Sequence, residues 1–563
     1  MIIKGINAAK GFEQGKAFKL EKIDFNIQER LIINIDDELT KLNNAIIKSD
    51  EEIKKIYDIS VQKLGIDTAQ VFQAHLLILK DEEMLKQIRD MIKEKISAEY
   101  SVFSIRNNFI KIFENMKYEY MKDRALDIKD VTNRLLAHLT NKKIQDLTLI
   151  EEEVILIAND LTPSDTAQLD KKYIKGFITE IGGKTSHTAI MSRSLEIPAI
   201  VGAKNALNLI NDGDLILLDG SNGEIIINPT QLDHEEFIKK QVVYENKLFE
   251  YINKETYTKN GNKVELVCNI GNLDDLKSVI SNGAEGIGLF RTEFLFMERN
   301  NFPSEDDQFI VYKSVLEKME NKPVVIRTLD IGGDKELSYL NIQKELNPFL
   351  GVRAIRLCLN KIEIFKTQLR ALLRASSFGN LKIMFPMIAT LNELREVKSI
   401  LSELKEELIS SGIHIGDYEV GMMMEVPSAA IIADLFAEEV DFLSIGTNDL
   451  IQYTMAADRM NEGVSYLYQP FNPAVIRLIK NIIDASHENG IWTGMCGEMA
   501  SDINAIPLLI GLGIDELSVS ASLVLEVRET ISKIDSDRLK NLIDNALKLS
   551  TAEEVEELFK KRY

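Results

Sequence analysis

Residues 419–450 read EVGMMMEVPSAAIIADLFAEEVDFLSIGTNDL, and this stretch repeats one pattern twice. A short apolar run, Glu419 to Met424 and then Phe442 to Ile445, ends beside polar residues and is followed by a helical pattern. Apolar strands that alternate with amphipathic helices are typical of parallel α/β folds. The stretch therefore predicts two neighbouring β/α units.

Eight such runs lie between about residue 260 and residue 563, which predicts a (β/α)8 TIM barrel. The other six are Val264 to Ile270, Gly286 to Phe290, Pro323 to Thr328, Leu381 to Pro386, Ile491 to Met495 and Glu516 to Val519. A doubly wound open sheet is the alternative. The reactive residues favour the barrel, because each comes at or just after the end of a run, and barrel strand ends converge on one face. These residues are Arg291, Arg327, Glu425, Asn448 with Asp449, and Cys496.

The first 260 residues predict an α/β domain that is interrupted by helices. From Asp36 to about Leu139 glycine and proline are nearly absent and apolar residues recur at helical spacing, which predicts a small helical bundle. Short apolar runs precede and follow this region, so we interpret the helices as an insertion. The predicted division is residues 1–20 and 145–230 for the α/β domain, 21–144 for the inserted helical domain, 231–260 for a helical linker and 261–563 for the barrel.

The composition is that of an acidic folded chain. Its 67 Lys and Arg against 88 Asp and Glu give a net charge of -21, which opposes binding to nucleic acid and anionic membranes. The three cysteines (Cys268, Cys358, Cys496) form no CxxC pair, and no run of about 18 apolar residues occurs. We therefore expect a cytoplasmic protein with no nucleic-acid partner and no membrane insertion.

The segment GGKTSHTAI, residues 182–190, follows a predicted strand and precedes a helical run. Its two glycines allow a tight turn, and Ser186 is a suitable helix cap, which places His187 in the first helical turn. Helix N-termini attract anions and lower a histidine pKa. We predict that His187 is a nucleophile beside a phosphate cradle, with a structural or solvent-exposed histidine as the alternative.

Other polar residues predict binding of a small polyanion and a metal. Guanidinium groups bind phosphate and carboxylate bidentately, and the candidates are Arg291, Arg327, Arg353 and Arg459. Glu425 and Asp449 are candidate Mg²⁺ ligands, although pairing of a carboxylate with one of the arginines is the alternative. Asn448 is expected to orient the phosphate. Cys496 is a candidate proton donor or acceptor, with a buried inert thiol as the alternative.

Eight motifs in one order carry a family resemblance. They are GGKTSHTAIMSRSLEIPAIVG, GAEGIGLFRTEFLFM, VIRTLDIGGDK, NPFLGVRAIR, MFPMI, GMMMEVPSA, DFLSIGTNDLIQYTMAADR and GMCGEMA. Together they resemble the Enzyme I family of the bacterial sugar phosphotransferase system, over essentially the whole chain. The resemblance implies these roles: His187 as the phosphorylated histidine; Arg291, Arg327, Arg353 and Arg459 with Asn448 as phosphoenolpyruvate ligands; Glu425 and Asp449 as Mg²⁺ ligands; and Cys496 as the acid that protonates the enolate of pyruvate.

The same resemblance implies two protein partners. The inserted helical domain would dock HPr, a small histidine phosphocarrier protein, and the barrel would form a homodimer. His75, with Phe72 and Leu76, is a candidate for carrier contact. Because phosphoenolpyruvate and carrier bind different domains, the α/β domain is expected to swivel on the linker. The chain starts directly at the strand-like segment, which favours the sugar branch over the nitrogen-regulatory branch of the family.

Two other functions are considered. Pyruvate phosphate dikinase and phosphoenolpyruvate synthase share a swivelling histidine domain and this type of barrel, but they need an ATP-binding domain. This chain offers no room for one and no glycine-rich phosphate loop in residues 36–139. A non-catalytic helical scaffold on a degenerate barrel is the other alternative, and the intact set of reactive residues argues against it.

Overall fold

The computed structural model describes most of the chain. It leaves out residues 21–24, 26, 65, 115–118, 143–144, 146, 148–149, 163–164, 167–168, 171, 184–187, 189–191, 193–196, 253, 298, 300, 333–336, 338, 341–344, 459–461 and 561–563, and the further side chains of 60–64, 66–70, 114, 119–126, 245, 247–248, 462–463 and 465. Two compact units, Met1–Tyr244 and Glu245–Tyr563, make up the chain.

The first unit contains a mixed sheet of eight strands. These are β1 (Ile2–Lys4), β2 (Ile6–Ala9), β3 (Phe12–Lys19), β4 (Val154–Ala158), β5 (Ile174–Thr179), β6 (Ala199–Val201), β7 (Leu215–Asp219) and β8 (Glu224–Ile227). Their order is β1-β8-β7-β3-β4-β5-β6-β2, and β3 to β6 run parallel. Every residue of β4 is buried, which explains its uninterrupted apolar sequence.

Five helices lie between β3 and β4. They are α1 (Ile35–Leu64), α2 (Ile66–Leu79), α3 (Glu82–Lys93), α4 (Ala98–Glu114) and α5 (Glu119–Thr140). Asp81 caps the N-terminus of helix α3, and its Oδ1 accepts a hydrogen bond from Met84 N at 2.7 Å. It buries one face, through Met84, Leu85, Ile88 and Ile92, against the other helices. The predicted helical insertion in an α/β domain is confirmed.

The second unit is a closed barrel of eight parallel strands. These are β9 (Glu265–Ile270), β10 (Ile287–Arg291), β11 (Pro323–Arg327), β12 (Asn380–Phe385), β13 (Tyr418–Met424), β14 (Phe442–Ile445), β15 (Trp492–Met495) and β16 (Glu516–Val519). Each predicted run overlaps one strand. Because β16 pairs with β9, with Ser518 opposite Val267, the sheet has no edge and the open-sheet alternative is excluded.

Helices and short turns connect the barrel strands. Further helices among the described residues are Ala206–Leu209, Gln231–Phe249, Asp275–Ser281, Glu293–Met297, Glu305–Met319, Ile355–Asn360, Ile362–Ala375, Leu391–Ser410, Pro427–Ile431, Ala433–Ala437, Thr447–Met455, Pro473–Glu488, Ile506–Leu512, Val524–Lys533, Lys540–Ala546 and Ala552–Lys560. Among the residues that the structure describes, no helix has the length and apolar character needed to cross a membrane.

A buried carboxylate lies at the start of β16. Glu516 is 1% exposed, and neither of its carboxylate oxygens has a hydrogen-bond partner among the described residues. Burial and, next, the negative charge of Glu265 raise the pKa of Glu516 to about 8; Glu419 and Asp515 act in the same direction, whereas Lys382 opposes the shift. The folded barrel therefore holds a proton on Glu516 at neutral pH.

We expect Glu516→Gln to stabilise the barrel more at pH 8 than at pH 5.5. The folded-state pKa lies above the ordinary value of 4.5, so the folded state binds more protons between these values and wild-type stability falls as pH rises. Glutamine has no such titration, so from pH 5.5 to pH 8 the wild type is expected to lose about 3 kcal/mol of stability relative to the variant. Urea unfolding followed by the fluorescence of Trp492, the one tryptophan of the chain, measures the difference.

The exposed Glu396 supplies the control for this experiment, because Glu396→Gln removes a carboxylate that stays in water. This variant is expected to keep the wild-type dependence of stability on pH. If Glu516→Gln also keeps it, Glu516 does not carry the proton.

Candidate active site

The carboxyl ends of five barrel strands carry the predicted site residues. Arg291 and Arg327 are the last residues of β10 and β11 and lie side by side in register. The others are Glu425 directly after β13, Asn448 and Asp449 in the first turn of the helix after β14, and Cys496 directly after β15. Arg353 lies in the connection that follows β11. Parallel barrel strands end on one face, so the fold brings these residues to the same face.

Two carboxylates hold Arg327. Its Nη2 donates to Glu293 Oε1 at 2.8 Å, and its Nη1 lies 3.1 Å from Asp330 Oδ2. Arg327 is 6% exposed. Burial alone would lower the pKa of this guanidinium, but the charges of Glu293 and Asp330 raise it, so Arg327 stays protonated. A fixed cation in a buried setting stabilises phosphoryl charge better than one in water.

Arg353 joins Asp330 to Asp449. Its Nε donates to Asp330 Oδ1 at 2.9 Å, and its Nη2 donates to Asp449 Oδ2 at 3.0 Å. Its Nη1 donates to the Tyr453 hydroxyl at 3.3 Å, which in turn donates to Phe349 O at 2.7 Å. Asp449 is therefore paired with an arginine, which is the alternative that the sequence left open beside a metal-binding role.

Glu425 is completely buried, and among the described residues only one of its two carboxylate oxygens has a hydrogen-bond partner. Its Oε1 accepts from Met387 N at 2.6 Å, whereas its Oε2 has no hydrogen-bond partner in the described part of the chain. A Cβ at Gly446 would lie 3.1 Å from that oxygen, so glycine leaves space beside it. Burial, followed by the charges of Asp449 and Asp330, raises the pKa of Glu425 to about 8. An unsatisfied buried carboxylate oxygen is a position that a cation would stabilise.

Cys496 is a protonated thiol. It is 7% exposed, and its Sγ accepts a hydrogen bond from Ser444 Oγ at 3.6 Å. Burial raises its pKa to about 11, although the Ser444 hydrogen bond opposes the shift. The thiol therefore keeps its proton at neutral pH and is suited to donate it. Cys268 and Cys358 are buried in the barrel core, as expected of structural cysteines.

Asn448 and Arg291 complete the described part of the site. The Asn448 amide is held by Glu498, since Nδ2 donates to Glu498 Oε1 at 3.4 Å and Oδ1 accepts from Glu498 N at 3.1 Å. Arg291 is exposed, and its guanidinium lies 5.5 Å from the centre of the Phe294 ring. An exposed guanidinium at a strand end is accessible to an anionic ligand.

Two predicted site residues, His187 and Arg459, lie outside the described residues. The neighbour of His187, Thr188, is buried, and its Oγ1 donates to Asp160 Oδ1 at 3.1 Å.

In the helical domain two of the three candidate carrier-contact residues are buried, whereas the third, Leu76, is partly buried. His75 is buried, with Nε2 3.1 Å from Asp127 Oδ1, and Phe72 is buried beside it. Neither side chain presents a surface to a partner, because apolar residues of α1 and α5 pack against this face of α2.

Glu293, Asp330 and Tyr453 were not among the predicted site residues. Glu293 lies two residues after Arg291 in the motif GAEGIGLFRTEFLFM, and Asp330 lies three residues after Arg327 in the motif VIRTLDIGGDK. The closeness of each carboxylate in sequence to a candidate anion-binding arginine was the signal that could have identified Glu293 and Asp330. Tyr453 lies four residues after Asp449 on one helix, which places the two side chains on the same face.

Models of three known domain families match most of the chain. Residues 246–536 match the PEP-binding domain of PEP-utilising enzymes. Residues 150–223 match the mobile domain of these enzymes, and residues 4–124 match their N-terminal domain. The site built on the barrel strands lies within the first of these matches.

Full-length relatives share one description. The phosphoenolpyruvate-protein phosphotransferase of Geobacillus stearothermophilus is 53% identical over 566 residues, which cover 100% of this chain and 98% of the relative. That of Bacillus subtilis is 53% identical over 558 residues, 98% of each chain. That of Staphylococcus carnosus is 52% identical over 561 residues, 99% of this chain and 98% of the relative.

Proposed function

We propose that this chain, which belongs to the phosphoenolpyruvate-protein phosphotransferase family, transfers the phosphoryl group of phosphoenolpyruvate to its own His187 and releases pyruvate. This family is the Enzyme I family of the bacterial phosphotransferase system. The observation that carries the proposal is the cluster of buried ion pairs at the barrel strand ends, where Arg327 and Arg353 are held by three carboxylates. The full-length relatives favour this activity over that of a dikinase.

The arginines bind and align the substrate. We assign the phosphoryl and carboxylate groups of phosphoenolpyruvate to Arg291, Arg327, Arg353, Arg459 and Asn448. Phosphoryl transfer depends mostly on alignment and on neutralisation of charge, which rigid guanidinium groups supply. The P–O bond to the enol oxygen breaks as the P–N bond to the His187 imidazole forms, and the enolate of pyruvate is left in the barrel.

Glu425 and Asp449 are the proposed holders of Mg²⁺. The unpartnered buried Oε2 of Glu425 and the hard oxygen donors of both residues fit this ion. Within the described ranges no three His, Cys, Asp or Glu side chains group as a metal site, which agrees with a site of two carboxylates completed by substrate oxygens. When bound, Mg²⁺ would offset negative charge on the phosphoryl oxygens. Asp449 would then be shared with Arg353, the partner it has in this structure.

Cys496 is the proposed acid of the second half of the reaction. Its thiol proton goes to the methylene carbon of the enolate, which gives pyruvate, and the thiolate regains a proton from water. The high pKa keeps the thiol protonated until the enolate, a stronger base, forms beside it.

Replacing this acid should separate the two half-reactions. We expect Cys496→Ala to slow pyruvate formation by about 10²-fold, because a positioned general acid contributes at least this much. Phosphorylation of His187 is expected to suffer less. Rapid-quench measurement of phosphohistidine and of pyruvate in the same samples tests this. Cys268→Ala, which also removes a buried thiol, is the control, and equal rates of pyruvate formation in the two variants would contradict the assignment.

A carrier protein accepts the phosphoryl group from His187 in this proposal. We infer that it is HPr, that the helical domain of residues 21–144 docks it, and that the barrel of residues 261–563 forms a homodimer. The α/β domain of residues 1–20 and 145–230 must then present His187 first to the barrel and later to the carrier. The linker of residues 231–260 would allow this movement.

A nucleotide-free reaction tests the proposal. The full chain is mixed with phosphoenolpyruvate and Mg²⁺, pyruvate release is followed, and acid-labile phosphate is mapped by mass spectrometry. Phosphate on His187 supports the phosphotransferase, and loss of the reaction with a chelator supports the metal. A requirement for ATP would instead point to a dikinase, and a folded sample without pyruvate or phosphohistidine would overturn the proposal.

A further inference from the structure

One polar side chain interrupts the buried face of the helix Ile362–Ala375. The buried residues of this helix are apolar except for Gln368, which is 1% exposed. Gln368 Oε1 accepts from Leu329 N at 2.9 Å, and its Nε2 donates to Thr292 Oγ1 and to the Tyr312 hydroxyl, each at 3.1 Å. A buried amide stays satisfied only where such partners are in place.

Two of these partners belong to the segments that carry the phosphate-binding arginines. Thr292 lies between Arg291 and Glu293 at the end of β10. Leu329 lies between Arg327 and Asp330, just after β11.

Thr292 also links the two strand ends directly. Its Oγ1 donates to Arg327 O at 2.9 Å, and both Thr292 and Leu329 are buried. One glutamine thus links the ends of two neighbouring strands through Thr292 and the backbone of Leu329.

A second hydrogen-bonded pair sets the direction of the Gln368 amide. The Tyr312 hydroxyl donates to Gln308 Oε1 at 3.0 Å, and Gln308 Nε2 donates to Pro303 O at 3.3 Å. The Tyr312 hydroxyl has one proton, which it donates to Gln308. It therefore acts as the acceptor in its hydrogen bond with Gln368. The amide nitrogen of Gln368 therefore points to Thr292 and Tyr312, and its oxygen is left for the Leu329 backbone.

We propose that Gln368 is a positioning residue for phosphoryl transfer. Its hydrogen bonds among the described residues go to Leu329, Thr292 and Tyr312 and not to an arginine side chain. Through Thr292 and the backbone of Leu329 it sets the distance between the segment of Arg291 and Glu293 and that of Arg327 and Asp330. The inference rests on the proposed function, because it assumes that these strand ends bind phosphoenolpyruvate. Small displacements of aligned groups have large effects on rate, of about 10²-fold for an ångström.

The test uses Gln368→Leu and Thr292→Val, singly and together, in the full chain. Isotope exchange between phosphoenolpyruvate and labelled pyruvate, with Mg²⁺ and without carrier, gives kcat and KM. Thr493→Val is the matched control, because Thr493 is also a fully buried threonine whose hydroxyl donates to one side chain, Ser486, near the start of β15. Thermal unfolding of each variant is measured in parallel.

We expect each single variant to lower kcat/KM by about tenfold or more. The double variant should fall little further, because both changes break one bridge. Thr292→Ser, which keeps the hydroxyl, is expected to retain kcat/KM close to that of the wild type. Thr493→Val should lose thermal stability without loss of kcat/KM.

Two results would overturn the inference. In the first, Gln368→Leu and Thr292→Val lose thermal stability as Thr493→Val does but keep wild-type kcat/KM. In the second, their effects on kcat/KM multiply in the double variant, which would mean that they act separately. Absence of exchange in the wild type is a different failure, since it would overturn the proposed function itself and this inference with it.

Discussion

His187→Ala is expected to abolish phosphorylation of the protein by phosphoenolpyruvate and to reduce pyruvate release to background. The imidazole is the proposed nucleophile, and alanine has no atom that can form the P–N bond. Binding of phosphoenolpyruvate should persist, because the arginines, Glu425 and Asp449 belong to the barrel. The measurements are phosphohistidine mapping by mass spectrometry and protection of the barrel against urea by phosphoenolpyruvate with Mg²⁺.

The control for this variant is another histidine of the same unit. His234 has an Nε2 that lies 2.8 Å from Gln14 Oε1, and it has no assigned role in the reaction. His234→Ala is expected to phosphorylate as the wild type does. Acid-labile phosphate on a different histidine of His187→Ala would show that the nucleophile is misassigned.

The second large effect is expected from Arg327→Met. The substitution removes a cation from the proposed substrate site and takes the Arg327 guanidinium away from the buried Glu293 carboxylate. Breaking a buried ion pair on one side costs about 3–5 kcal/mol, and losing a fixed charge that stabilises the transition state costs about 10³-fold in rate. Asp330 keeps Arg353 as its partner, so the buried ion pair that the substitution breaks is the one between Arg327 and Glu293.

A double variant separates the two consequences. Arg327→Met with Glu293→Gln removes both charges, and we expect it to recover much of the lost stability without recovering activity. Urea unfolding followed by Trp492 fluorescence and the isotope exchange assay read the two effects independently. Exchange at the wild-type rate in Arg327→Met would contradict the role of this arginine, and unchanged stability would contradict the buried ion pair.

The spacing of apolar residues along the chain was sufficient to predict the architecture. The eight apolar runs, each followed by a helical period, predicted the barrel strands, because strand and helix spacing are properties of neighbouring residues. The same logic placed Arg291, Arg327, Glu425 and Cys496 at strand ends, and parallel strands then gather them on one face. The inserted helices followed from the near absence of glycine and proline.

Tertiary packing decided which side chains meet. Arg327 pairs with Glu293 from 34 residues earlier, and Arg353 pairs with Asp449 from 96 residues later. These choices depend on which loops the closed barrel brings together, and no local period encodes them. The burial of His75 has the same origin, since its helix packs against α5 in the bundle.

Gln368 shows, within one helix, the difference between what the spacing of residues predicts and what tertiary packing decides. Its sequence neighbours predict an amphipathic helix, in which a glutamine on the buried face is only an interruption. The fold supplies the Leu329 amide, the Thr292 hydroxyl and the Tyr312 hydroxyl from three other segments. Spacing along the chain thus determined the strands, the helices and the residues at their ends, whereas the pairing of charges and hydrogen bonds required the closed barrel. The physical reason is that secondary structure depends on contacts a few residues apart, and a buried polar group depends on whatever distant group packing places within about 3 Å of it.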